Sequence, residues 1–199
     1  MITVVGIGPG RDDLQLKGLD DYLAHTEIVV GSERQLATLQ VPASKAYPLP
    51  KLAELKRYLT AHLTQDIVIL ASGDPLLYGI GTWVRRNFPA DSVRLVPGIS
   101  SIQYCFHQFG LAMNNCYLTS SHGRRPDFDF LLAHETVGMV TDQACGPYQI
   151  AQEILQRGQQ RKIYIGEKLS YPDEQLHAYL PTEVPDRKYE LNVVIIKNA

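Results

Sequence analysis

Cysteine is scarce in this sequence, and the three present (Cys105, Cys116 and Cys145) are widely spaced with no Cys-x-x-Cys pair. That pattern argues against a disulfide framework or a zinc site and for buried or semi-buried reduced thiols. An excess of base is also missing: the formal net charge is -2 and the pI is about 6.3. A general nucleic-acid binder needs surplus Lys and Arg against phosphate, so nucleic acid is a poor partner, although a local basic pocket for an acidic small molecule remains compatible. No apolar run approaches the ~20 residues that span a bilayer, so no membrane partner is expected. The start, Met1-Ile-Thr-Val-Val-Gly6, has no basic leader and reads as a strand rather than a targeting segment, which fits a cytoplasmic protein. No internal repeat and no low-complexity segment is found.

Over 199 residues, 45% are hydrophobic and 20% charged, enough for a sizeable globular core. Ile2–Val5, Ile28–Val30, Ile67–Leu70 and Val93–Val96 read as strands. Between them fall helical patterns: Leu14, Leu16, Leu19 and Leu23; a short helix capped by Ser32; Leu52, Leu55, Leu59 and Leu63; and a helix from about Leu77 to Asn87. The proline-bearing stretch Tyr47–Pro50 reads as a connector. Strands and helices alternating through glycine-bearing loops predict an α/β domain with a mostly parallel sheet. The pattern changes over Gly110–Asn115, which puts a boundary near residue 112 and divides the chain into 1–112 and 113–199. Later strands are expected at Cys116–Thr119, Val137–Val140, Ile163–Ile165 and Val193–Ile196, some of them antiparallel, with a helix over Tyr148–Arg157.

Three loops carry the chemistry. Gly6-Ile7-Gly8-Pro9-Gly10 follows the first strand. It fails as a dinucleotide fingerprint, because Arg11 stands where a third glycine is needed and Pro9 removes an amide from the phosphate cradle. The loop suits close approach of backbone to a ligand, or simply a tight turn. Ala71-Ser72-Gly73-Asp74-Pro75-Leu76-Leu77-Tyr78-Gly79 follows a buried strand at the carboxyl edge of the sheet, where α/β proteins place ligands. Asp74 there suits a cationic ligand or caps the next helix. Val96-Pro97-Gly98-Ile99-Ser100-Ser101 ends another strand with two hydroxyls, one an N-cap and the other free to reach a ligand.

In order and spacing the three loops resemble the tetrapyrrole (corrin and porphyrin) methylases. The resemblance implies two α/β domains, a homodimer, and S-adenosylmethionine as cofactor, bound in a cleft between the domains. Carried onto this sequence, it implies cofactor contacts at Pro9, Gly73, Asp74, Tyr78, Ser100 and Ser101, with Thr141 and Gly166 from the second domain. Ser121-His122-Gly123-Arg124 and Gly166-Glu167-Lys168-Leu169-Ser170-Tyr171 look like the branch that methylates carbon 5 of cobalt-precorrin-7. In some relatives that domain is fused to a decarboxylating methyltransferase, and a chain ending at Ala199 is expected to be the stand-alone, cobalt-early form. A corrinoid carries acetate and propionate groups, which call for Arg, Lys or amide donors. His122, Arg124 and Arg125 form the best cluster for them, the bland reading being a solvated basic turn. Cobalt would arrive within the substrate, so no protein metal ligand is expected. No catalytic base stands out, and the scattered histidines read as structural. Two other readings stay open: the same fold on another tetrapyrrole-related substrate, and a nucleotide-binding module without chemistry.

Overall fold

A computed structural model describes all residues, 1–199. The chain forms two compact units, Met1–Ser100 and Ser101–Ala199.

The first unit runs β1 (Ile2–Gly6), α1 (Leu19–Ala24), β2 (Ile28–Gly31), α2 (Glu33–Thr38), β3 (Ala46–Pro48), α3 (Leu52–Ala61), β4 (Ile67–Ala71), α4 (Gly81–Asn87) and β5 (Val93–Val96). Its sheet has the order β3-β2-β4-β1-β5, and every pairing is parallel. β4 is buried along its whole length, as a strand covered on both faces must be, which is why its sequence is continuously apolar. The period-2 alternation of the strands sorts the core into two layers. Ile2, Val4, Ile67 and Ile69 face Leu55, Leu59 and Val84, while Val5, Val68 and Leu70 face Leu19 and Leu36.

Three local expectations change. The helical spacing from Leu14 is interrupted: Asp12–Leu14 is a 3-10 turn, and α1 begins only after Gly18, whose φ of 96° is left-handed. The connector at Tyr47 contains β3, a short edge strand, where proline is tolerated because no ladder amide is lost. The helix expected from Leu77 starts at Gly81. Tyr78 takes a left-handed φ of 55°, and the chain wraps over Pro75 so that the Gly81 N–H donates to the Pro75 carbonyl at 2.9 Å. In α3, Leu55 and Leu59 are fully buried, each stabilising the unit by about 2 kcal/mol, whereas Leu52 is exposed and Leu63, expected on the same face, lies exposed beyond the helix's end at Ala61. Ser32 caps α2 as expected: its hydroxyl accepts the Gln35 amide and the Gln35 side chain accepts the Ser32 amide.

The second unit runs α5 (Ser101–Gln108), β6 (Cys116–Ser120), α6 (Phe128–Leu131), β7 (Thr136–Val140), α7 (Pro147–Gln156), β8 (Arg161–Glu167), β9 (Gln175–Tyr179) and β10 (Asn192–Asn198). The sheet order is β6-β7-β10-β8-β9. β6 and β7 are parallel, and β10 and β9 run antiparallel to their neighbours, as the late strands were expected to do. The division between units at Ser100 precedes the change of pattern near residue 112 because α5 packs on β7 and β10, burying Ile102, Cys105 and Phe106. The shift at Gly110–Asn115 marks the end of this helix. α7 buries Ile150, Ala151 and Ile154 in a core with Met139, Ile163, Ile165 and Val194. The buried guanidinium of Arg161 is held through its two terminal nitrogens by the carbonyls of Leu132 and His134 and by Asn198, with no carboxylate paired to it, while its Nε has no hydrogen-bond partner. All three cysteines are free thiols. No helix is long and apolar enough to cross a membrane.

Candidate functional site

In the first unit the register places Gly6 beside Ala71 and Val5 beside Val96. The loops after β1, β4 and β5 therefore leave the same carboxyl edge of a parallel sheet, where the resemblance puts Pro9, Gly73, Asp74, Tyr78 and Ser100. The loops interlock backbone to backbone. A Cβ on Gly98 would lie 2.2 Å from the Gly73 carbonyl oxygen, and one on Gly6 would lie 2.6 Å from both that oxygen and the Gly98 nitrogen. Only glycine at positions 6 and 98 allows this approach to the Gly73 carbonyl. The Gly73 N–H donates to the Gly8 carbonyl at 2.8 Å. Asp74 completes the lock: its Oδ1 accepts the Leu76 amide at 2.7 Å and the Leu77 amide at 3.2 Å, and its Oδ2 accepts the Gly98 amide at 3.2 Å. The Gln35 side chain ties in the first turn of α2 by donating to the Ser72 hydroxyl at 2.9 Å. Asp74 is thus a cap and a tie between loops, whatever else it meets.

In the second unit Ser120, Val140, Val193 and Gly166 form one row across the sheet. The loops carrying His122, Arg124, Arg125 and Thr141 consequently share an edge with Gly166. Thr141 Oγ1 donates to Asn192 Oδ1 at 2.6 Å. A Cβ at Gly166 would lie 2.5 Å from Leu169 Cδ2 and 3.0 Å from Cys105 Sγ. Burial pushes the Cys105 thiol up to about 12, with Glu174 adding to the rise and Gly166 opposing it. Past Gly166, Lys168 and Ser170 both have left-handed φ, 47° and 67°, and the buried Ser170 hydroxyl has no hydrogen-bond partner. Strain and an orphaned hydroxyl in one turn are costs that folded proteins carry at ligand sites.

Arg124 and Arg125 line a cavity of about 380 Å³ with Gly123, Asp142, Ala144, Cys145, Gln149 and Glu153. His122 lies outside that lining. Arg124 Nε donates to the Ser120 carbonyl at 2.9 Å and Nη2 to Thr119 Oγ1 at 3.2 Å. Arg125 pairs with Glu153, which also binds Arg157 at 2.6 Å. Asp142 accepts the amides of Gly123 at 2.9 Å and of Ala144 and Cys145 at 3.0 Å each. The Gly123 amide first, and the Cys145 amide next, hold its carboxyl below the usual carboxylate range.

The sequence reading missed a second group. Glu167, nearly inaccessible at 3% side-chain exposure, pairs with Arg187 and accepts the Glu190 amide at 2.9 Å. Arg187 lies over the Tyr189 ring, 4.0 Å from its centroid. Arg187, Lys188, Tyr189 and Asn192 line a neighbouring cavity of about 260 Å³ that shares Asp142 and Gln149 with the first. The partners stand twenty or more residues apart in sequence, so no local spacing announces them.

The family model of the tetrapyrrole (corrin/porphyrin) methylases matches residues 1–182. The chain belongs to this family. Among its relatives, the cobalt-precorrin-7 C(5)-methyltransferase of Salmonella typhimurium is 40% identical over 198 residues, 98% of each chain. Two solved structures share the tetrapyrrole methylase fold. The precorrin-6Y methylase of Archaeoglobus fulgidus superposes with a TM-score of 0.79 at 19% identity, covering 100% of this chain and 98% of that one. The uroporphyrin-III C-methyltransferase of Thermus thermophilus, solved with S-adenosylhomocysteine, has a TM-score of 0.76 at 24% identity, covering 98% of this methylase and 96% of that chain.

Proposed function

We propose that this methylase transfers a methyl group from S-adenosylmethionine to carbon 5 of cobalt-precorrin-7 during cobalamin biosynthesis. The observation that carries the reading is the 40% identity to a protein of that activity, spread over 98% of both chains. In this reading Pro9, Gly73, Asp74, Tyr78 and Ser100 contact the cofactor from the first unit, and Ser101, Thr141 and Gly166 from the second. The residues present suit such a ligand: the orphaned Ser170 hydroxyl lies close behind Gly166 in the chain, and Asp74 offers a carboxylate on a rigid loop. When bound, S-adenosylmethionine supplies a methyl carbon activated by sulfonium charge, and loss of that charge on transfer favours a poorly hydrated site.

The protein's share of the work is alignment rather than covalent chemistry. The interlocked glycine loops fix backbone groups in place without side-chain freedom. Arg124, held by neutral oxygens, offers a full positive charge to a substrate carboxylate. His122 and Arg125 stand beside it on the same loop. The conjugated macrocycle brings its own electron-rich carbon, so no side chain is assigned as nucleophile or base. A homodimer and a cytoplasmic location complete the proposal.

The test is incubation with cobalt-precorrin-7 and methyl-deuterated S-adenosylmethionine. The expected product is heavier by one labelled methyl group, placed at carbon 5 by NMR. Label on another ring carbon, or no label, overturns the assignment.

A further inference from the structure

The turn after β8 is tied down group by group. The Lys168 N–H donates to the Leu191 carbonyl at 2.8 Å, the Tyr171 N–H to the Lys168 carbonyl at 2.9 Å and the Glu174 N–H to the Tyr171 carbonyl at 3.1 Å. The Ser170 N–H donates to the Glu174 carboxylate, and the Lys168 ammonium pairs with Asp173 at 2.6 Å. These bonds hold Ser170 at a left-handed φ of 67°, a conformation that costs any residue with a Cβ. The Ser170 hydroxyl is left out of the set: the residue is 5% exposed, and its oxygen has no hydrogen-bond partner. Such a group has given up water for nothing and destabilises the free protein. The fixed backbone sets the direction of Cβ, so the oxygen keeps only rotation about one bond. Beside this turn Leu169 and Cys105, both buried, close on Gly166.

We propose that the Ser170 hydroxyl hydrogen-bonds a neutral group of S-adenosylmethionine, so that the cost it imposes on the free protein is offset when the cofactor binds. The inference rests on the cofactor reading above and adds Ser170 to the contact expected from Gly166. The partner is neutral because a charged one would lose its water beside Leu169 and Cys105 without gaining a counter-ion. The Glu174 carboxylate is engaged by the Ser170 amide, and the Lys168 ammonium by Asp173. The adenosine portion of the cofactor carries neutral donors and acceptors, and a hydroxyl can meet either.

Ser170→Ala should show two effects of opposite sign, which a purely structural serine would not. Alanine also carries a Cβ, so the backbone strain is unchanged and only the hydroxyl is removed. Without ligand, the variant is expected to melt about 3 °C above the parent, because an unsatisfied buried group is gone. Its affinity for S-adenosylhomocysteine, titrated calorimetrically, is expected to fall about fivefold, the worth of one neutral hydrogen bond. That ratio should be the same at low and high salt, since no charge is involved. A variant that melts at or below the parent overturns the proposal, because the hydroxyl would then have a partner within the chain. Parental affinity overturns it too, as does a loss confined to low salt, which would mark a charged partner. The parent's own binding of S-adenosylhomocysteine is measured first. A parent that binds it while Ser170→Ala binds it equally well sinks the Ser170 contact alone. A parent that does not bind it sinks the cofactor reading, and this inference with it.

Discussion

The Asp74 carboxylate accepts the backbone amide of Gly98 at 3.2 Å, joining the loop after β4 to the loop after β5. The other oxygen of the same carboxylate caps Leu76 and Leu77. Asp74→Ala should therefore cost about 1–2 kcal/mol of stability and also weaken S-adenosylhomocysteine binding. Asp74→Asn keeps one acceptor oxygen and should recover part of the stability. Thermal unfolding and calorimetry check the two effects; unchanged values for Asp74→Ala in both would remove Asp74 from the lock and from the site.

Gly98→Ala tests the interlocking itself. The new methyl would sit 2.2 Å from the Gly73 carbonyl, against backbone that has no flexible end to move aside. A loss of about 3 kcal/mol is expected, read from the denaturant midpoint at unchanged slope. A variant with the parental midpoint would show that the loops part easily.

Glu167 should govern stability in acid. Burial raises its pKa, but the Arg187 ion pair and the Glu190 amide outweigh that, and the carboxyl lies below its ordinary 4.5. A group whose folded pKa is depressed contributes stability above its unfolded value and loses it as pH falls through the folded one. Unfolding free energy should thus decline as pH drops from about 4.5, and Glu167→Gln should flatten that decline while lowering stability at neutral pH. A parallel acid limb in the variant would assign the loss to other carboxylates.

The Cys105 thiol, pushed up to about 12 by burial, should be protonated and unreactive at pH 8. Titration with a chromogenic disulfide is expected to show Cys105 reacting only on unfolding. Rapid labelling of Cys105 in the folded protein, located by peptide mass spectrometry, contradicts that burial.

Much of the architecture is legible in the sequence because backbone pattern and core pattern agree. The run Ile67–Leu70 announced a central strand, Ser32 announced a cap, and three glycine loops announced a family. What escaped was set by partners distant in the chain. Proline at Pro48 hid an edge strand because the exception for edges depends on sheet order. The start of α4 was misplaced because Tyr78 is left-handed, which no propensity of tyrosine foretells. The domain boundary was put at the end of α5 because a helix does not say which sheet it will cover. Asp74 was legible as a cap or a ligand, but its tie to Gly98 was not. Arg187 stood outside every motif, and Glu167, though within the branch motif, gave no sign of its distant partners.

The contact of Gly6, Gly73 and Gly98 also makes three stretches of chain a single mechanical element. Each bears on the others through rigid peptide planes, so a displacement in one is felt at once in the remaining two. A molecule that settles against any of them should damp all three together. In hydrogen exchange, residues 6–10, 72–79 and 97–100 would then gain protection in step rather than one after another.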